Sequence, residues 1–148
     1  MPDSLQTHRL RLRDWRDDDL PTFAALNADP RVMAYFPAPL TRAESDAFAT
    51  RIRAGLAQRG FGLWAVEVPG TAPFIGFVGL SVPGFSAPFT PCVEIGWRLA
   101  AACWGQGYAT EAAHEALRYA FEDLRLDEVL AFTAAGNSRS RRGWRAWA

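Results

Sequence analysis

The chain has 148 residues, 49% of them hydrophobic and 22% charged, and its 16 basic side chains balance 16 acidic ones. That composition fits one soluble, cytoplasmic domain with a sizeable core, and it argues against a broad nucleic-acid or anionic-membrane footprint. No apolar run reaches the roughly eighteen residues of a membrane span, the N-terminus lacks an apolar signal core, and two cysteines, Cys92 and Cys103, are too few for a disulfide framework or a complete zinc site, so no metal is expected.

Residues 8–13 (HRLRLR) alternate, which predicts a strand at a sheet edge. A helix is expected from Asp18 or Asp19, with acids in its first turn and Phe23 and Leu26 facing inward; Asp29 before Pro30 ends it. VMAYFPAPL at 32–40 is apolar, aromatic and broken by Pro37 and Pro39, and reads as a loop or short helix lining a pocket. TRAE at 41–44 is a capping box for a helix that buries Phe48, Ile52 and Leu56 and runs to Gly60. FGLWAVEV at 61–68 and PFIGFVGLSV at 73–82 read as a hairpin around Pro69 and Gly70, and VEIGWRL at 93–99 as a third strand of the same kind. From Ala109, apolar residues recur at steps of three and four (Ala109, Ala112, Ala113, Ala116, Leu117, Ala120, Phe121, Leu124), which predicts an amphipathic helix. DEVLAFTA at 127–134 is again a strand. Strand, helix and strand in that order predict a right-handed crossover with parallel pairing, so the sheet is expected to be mixed. Most of the six tryptophans should be core or pocket wall.

The stretch CWGQGYATEA at 103–112 places two glycines one residue apart, directly before the longest helical pattern. A helix N-terminus carries unpaired N–H groups and about half a positive charge, and binds phosphate where the backbone can come close. Gly105 and Gly107 remove the β-carbons that would prevent this and permit positive φ. A turn that only reverses the chain direction would use the same residues. A dinucleotide fingerprint fails here, because Thr110 stands where its third glycine should be and the preceding strands form an antiparallel hairpin. A kinase-type phosphate loop fails for want of a following Gly-Lys-Ser/Thr.

The segment VEIGWRLAAACWGQGYATEAAHEALRYAF at 93–121 resembles the acetyl-coenzyme-A motif of the Gcn5-related N-acetyltransferases (GNAT). It is similar in particular to the branch that acetylates N-terminal amines of ribosomal proteins. The family pattern Gln/Arg-x-x-Gly-x-Gly/Ala falls on Trp104, Gly105, Gln106, Gly107, Tyr108 and Ala109, with Trp104 departing from its first position. The opening T-x-R-L-x-L-R, the helix pair, the hairpin and N-x-R-S at 137–140 extend the resemblance over nearly the whole chain. It implies a mixed α+β fold, the GNAT fold, in which strands 93–99 and 127–134 splay to make a cofactor slot. The pantetheine arm of acetyl-CoA would pair with the strand edge at Trp97, Arg98 and Leu99 as an added β-strand does. The pyrophosphate would meet the N–H groups of Trp104, Gly105, Gln106, Gly107, Tyr108, Ala109 and Thr110. Asn137 resembles the asparagine that contacts the pantetheine arm, and Ser140 the serine placed to protonate the leaving thiolate; both are also good helix N-caps.

Acetyl transfer to an amine needs a neutral amine, donors to the thioester oxygen and a proton for the thiolate. The resemblance implies direct attack by the amine, with no acyl-enzyme. Neither cysteine has a histidine near it in sequence, and His8 and His114 read as surface residues. Glu94 is the candidate base: its sequence neighbours are mostly apolar, which would raise its carboxyl toward neutrality in a dry site. It could instead point outward or pair with an arginine, and a water chain could do the same work. The wall at 33–40 is apolar and no acidic cluster marks a polyamine site, which favours a protein N-terminus or a small amine as acceptor.

After Arg142 the family pattern stops, and the chain reads GWRAWA at 143–148. Shifted by two bases, codons for that tail can read Met-Ala-Arg-Leu-Gly, close to the family's continuation, so a frameshift is expected. The last two strands would then be missing, and 127–134 would be an exposed edge prone to pair with a second copy of the chain. The rival to an active transferase is accordingly an inactive domain that retains at most CoA binding.

Overall fold

The computed structural model describes residues 4–83, 88 and 91–131. They form strands β1 (Ser4–Gln6) and β2 (Arg11–Arg13), helices α1 (Asp19–Ala28) and α2 (Arg42–Arg59), strands β3 (Leu63–Val68), β4 (Ala72–Ser81) and β5 (Glu94–Leu99), helix α3 (Tyr108–Arg118) and strand β6 (Leu130–Ala131). One six-stranded sheet runs in the order β1-β2-β3-β4-β5-β6. Its first four pairings are antiparallel, and β5 pairs with β6 in parallel. The mixed sheet expected from the strand–helix–strand order is therefore present.

The helix ends follow their sequence signals. Thr41 accepts from the Glu44 N–H at 3.1 Å and Glu44 accepts from the Thr41 N–H at 2.9 Å, closing both arms of the capping box. Gly60 ends α2 in the left-handed conformation, with its N–H on the Leu56 carbonyl. Asp29 caps α1 in an extended conformation, as a residue before proline prefers. Residues 30–38 form successive turns, tied back by Leu40 N–H to the Asn27 carbonyl at 2.9 Å.

Two expectations need correction. Of residues 8–13, only Arg11–Arg13 is strand, and it lies inside the sheet; β1 is the edge strand. Residues 7–10 are instead a turn, held by Thr7, whose hydroxyl accepts from the Leu10 N–H at 3.0 Å and so competes with the ladder. The stripe of α3 also breaks before Phe121. The helix continues as a π-turn over Tyr119–Asp123, whose wider winding turns Tyr119 into the core (2% exposed) and leaves Phe121 outside (44% exposed).

The sheet carries a core on each face. One unites Leu10, Leu12, Val66, Val78, Leu80, Ile95 and Leu99 with Ala112, Ala113 and Ala116 of α3 and Ala120 of the π-turn, where small side chains let the helix lie close. The other packs Trp15, Phe23 and Leu26 against Ile52, Phe74 and Phe77 beneath α1 and α2. Phe23 is fully buried, with the rings of Trp15, Phe74 and Phe77 edge-on to it or tilted around it. Of the strand expected at 127–134, residues 132–134 lie outside the described set, as does the tail at 143–148.

Candidate active site

β5 positions the site through its alternation. The N–H of Ala100 donates to the Ile75 carbonyl, and the N–H of Leu130 to the Val93 carbonyl. With the β4–β5 register, this turns the backbone of Glu94, Gly96 and Arg98 toward β4 and that of Ile95, Trp97 and Leu99 toward the β6 side. Of the three residues expected to pair with a cofactor arm, Trp97 and Leu99 thus turn their backbone to the β6 side. Arg98 does not, because its N–H and C=O are spent on Phe77 of β4. The Leu99 carbonyl accepts from the Trp104 indole at 3.0 Å, which ties the following loop to the strand. The described part of β6 reaches only opposite Ile95.

The loop after β5 makes a short 3₁₀ turn at Ala101–Cys103 and enters α3 through Gly105 (φ +77°) and Gly107 (φ +79°). L side chains rarely adopt that region, so the glycine pair is required by the turn itself. Gly107 is the N-cap and has no side chain to satisfy the helix. The first helical bond runs from Glu111 N–H to the Gly107 carbonyl at 3.0 Å. The N–H groups of Tyr108, Ala109 and Thr110 therefore have no intrahelical acceptor and emerge beside an exposed loop, Gly105 to Gly107. Such an end can bind an anion.

A brace that sequence reading missed fixes this end. Glu111, in the first turn of α3, accepts from the Thr7 hydroxyl, from the Arg9 N–H at 2.8 Å and from Arg9 Nε at 2.7 Å. Arg9 Nη1 donates to the Gln106 carbonyl at 2.9 Å, and its guanidinium lies 4.6 Å from the Tyr108 ring centre. The β1–β2 turn thereby clamps the loop from about a hundred residues away and puts a cation beside the helix end. Only the family-like opening T-x-R in the sequence hints at it. Burial alone would raise the Glu111 carboxyl, but the Thr7 hydroxyl, the Arg9 N–H and the Arg9 guanidinium together hold it below the ordinary glutamate range. A folded value below the unfolded one stabilises at neutral pH, and that contribution is lost as pH falls through the folded value. Glu111→Gln should therefore melt below the parent at neutral pH, with the gap closing as the pH falls below the ordinary glutamate value; a gap independent of pH would mean that the carboxylate charge does not hold the clamp.

Glu94 lies on the sheet face opposite α3, half-buried, with its Oε1 accepting from the Ser81 hydroxyl at 3.0 Å. Two of the apolar neighbours expected to dry it lie across the sheet from it. Ile95 and Trp97 pack with the α3 core, because successive strand residues point to opposite faces. Slight burial and the charges of Glu94 and Glu128 push the Cys92 thiol up, and burial raises that of Cys103. Both thiols stay protonated and poorly nucleophilic at neutral pH. His8 and His114 are exposed. No cluster of three or more metal-ligating side chains lies among the described residues. Asn137 and Ser140 lie outside them.

The sequence model for the acetyltransferase (GNAT) domain matches residues 9–144. The chain belongs to the GNAT acetyltransferases. Its structural neighbours include the Agrobacterium tumefaciens acetyltransferase, whose crystal structure superposes with a TM-score of 0.83 at 27% identity, covering 99% of this chain and 82% of that one. The YkkB protein of Bacillus subtilis is 34% identical over 139 residues, covering 93% of this chain and 80% of its own length. An Aspergillus fumigatus protein named FsC-acetyl coenzyme A-N(2)-transacetylase is 36% identical over 145 residues, which is 93% of this chain but 61% of the fungal one. As a GNAT domain, the chain is an acyltransferase.

Proposed function

We propose that this GNAT domain transfers the acetyl group of acetyl-CoA to a primary amine by direct attack. The observation that carries the reading is the uncapped N-terminus of α3, entered through two left-handed glycines after the strand whose backbone at Trp97 and Leu99 turns to the β6 side. The donor's pyrophosphate would sit on the N–H groups between Trp104 and Thr110, with Arg9 near its charge. Its amide-bearing arm would run along Trp97 and Leu99 as an added strand. At the thioester, the amine nitrogen forms a bond to the acetyl carbon while the carbon–sulfur bond breaks. The amine's proton goes to Glu94, the departing thiolate takes one from Ser140, and solvent carries the proton from Glu94 back to Ser140. The acceptor would be a peptide N-terminus or a small amine; Tyr35 and Phe36, exposed on the α1–α2 connection, offer it an aromatic wall. The fungal relative's name, an N(2)-transacetylase, supports an amine acceptor.

Gly107→Val places a β-branched side chain where φ is +79° and where the phosphate must approach, so acetyl-CoA binding should weaken tenfold or more, about 1.4 kcal/mol. Calorimetry on both proteins checks this, and unchanged affinity would remove the phosphate cradle. A thiol-release assay over an amine panel accompanies it. Binding without any thiol release would leave a CoA-binding domain in place of an enzyme.

A further inference from the structure

The β5 face away from α3 carries Glu94, Gly96 and Arg98, alternate residues of one strand. At about 3.3 Å per residue, the Cα atoms of Glu94 and Arg98 stand about 13 Å apart. Between them, a Cβ built on Gly96 would meet nothing within 4 Å among the described residues. The strand therefore holds a trough, with the candidate base at one end and a guanidinium at the other.

Among the described residues that guanidinium has no ion-pair partner. Arg98 is half-buried; its Nη1 donates to Asn27 Oδ1 at 2.8 Å, and its Nε is buried without a partner among those residues. Asn27 is itself fully buried and donates to Ser45 Oγ at 2.9 Å, so the amide that orients Arg98 is fixed. Phenyl rings stand around the cation: Phe36 at 4.5 Å, Phe48 at 5.4 Å and Phe77 at 5.4 Å from the guanidinium carbon. Arg51 lies 5.5 Å from the same Phe48 ring. No carboxylate pairs with either arginine among the described residues, and the remaining residues add a single acidic side chain, Asp3. Burial pushes Arg98 down to about 10, with no anion to oppose it; it still carries its charge at neutral pH. A half-buried cation without a counter-ion costs stability unless a ligand supplies the anion.

We propose that Arg98 receives a carboxylate of the acceptor, so that the acceptor is a primary amine carrying a carboxylate that reaches Arg98 when the amine lies at Glu94. The inference rests on the acetyl-transfer reading above. A guanidinium presents a planar fork suited to a carboxylate, and its orientation here is preset by Asn27 and the rings. The chemistry is shared by a free amino acid and by a peptide N-terminus with an acidic residue near it.

Acetylation rates are to be compared for free amino acids against their carboxamides, and for Ala-Asp and Ala-Glu against Ala-Asn and Ala-Gln. The parent should prefer the carboxylate member about tenfold or more in kcat/KM in one of the two arms, and that arm identifies the source of the carboxylate. Arg98→Met, which fits among the rings, should lose the preference while keeping acetyl-CoA affinity. Arg98→Lys, which keeps charge but not the fork, should fall between. A parent without preference in either arm, or a preference that survives Arg98→Met, overturns the assignment. A second readout needs no turnover: the NMR signal of Arg98 Nε–H, titrated with N-acetylalanine or N-acetyl-Ala-Asp against the matching amides. A shift with the carboxylates alone in a protein that acetylates nothing would overturn acetyl transfer and keep the Arg98 site. Turnover with neither preference nor shift would overturn the Arg98 site alone. Neither turnover nor shift would overturn both.

Discussion

Asp19→Ala should destabilise the domain by about 3–5 kcal/mol, the usual cost of stripping one partner from a buried ion pair. Arg13 and Asp19 are 4% and 2% exposed, and they meet as a two-bonded fork at 2.8 and 2.9 Å. Arg13 also donates to Glu67 Oε1 at 3.0 Å, to the Asp14 carbonyl at 2.9 Å and to the Pro73 carbonyl, so all five of its N–H groups have acceptors. Asp19 further accepts from the Arg16 N–H at 2.8 Å, at the entry to α1. The bond to Asp19 is the main reason the Arg13 guanidinium is held above its ordinary value. The network joins β2, β3, the start of α1 and the start of β4, so its loss is felt in four elements. In Asp19→Ala the Arg13 charge stays buried with its best acceptor gone, and the melting temperature should drop by on the order of 10 °C. The double variant Arg13→Met, Asp19→Leu should recover part of that, because it removes the buried Arg13 charge but leaves Glu67 and the Pro73 carbonyl without their donor. A loss below about 1 kcal/mol for Asp19→Ala, measured by denaturant titration, would show that water or a rearranged side chain replaces the carboxylate.

None of that network could be read from the sequence. Asp19 looked like a first-turn acid and Arg13 like one member of an alternating strand; their pairing depends on how β2 meets α1, and Glu67 and Pro73 come from far along the chain. Signals that act within a few residues were legible. The Thr41–Glu44 box, the Gly60 cap, the Pro69–Gly70 turn and the alanine face of α3 each form as their local chemistry dictates. The stripe of α3 was legible up to the π-turn, where a change of winding that no residue spacing announces exchanges Tyr119 for Phe121. The site divides the same way. The glycine-entered helix end was visible because its two positive-φ residues lie one residue apart in sequence. The brace from Thr7 and Arg9 to Glu111 was not, because it is a tertiary contact. Arg98 was placed with the cofactor by its position on β5, but a strand sends alternate residues to opposite edges and faces, and the register decides which go where.

Glu94→Gln tests the base on that opposite face. The substitution keeps the shape of the side chain and can still meet the Ser81 hydroxyl, which donates to Glu94 at 3.0 Å, but it cannot take a proton. Loss of a general base costs about a hundredfold or more in rate, about 2.7 kcal/mol. The drop should appear in kcat/KM for the amine, with acetyl-CoA affinity unchanged, since Glu94 turns its backbone to β4 and its side chain away from α3. The pH profile separates a base from a merely structural residue. In the parent, protonating the carboxylate shuts the reaction off on the acid side; in Glu94→Gln that limb should vanish, leaving a low rate that no longer falls there with acid. Ser81→Ala gives the graded control. It removes one hydrogen bond and leaves the carboxylate, so the limb should persist with a rate about fivefold lower, in keeping with about 1 kcal/mol for such a bond. If Glu94→Gln keeps both the rate and the acid limb, the proton leaves through water and not through this carboxylate.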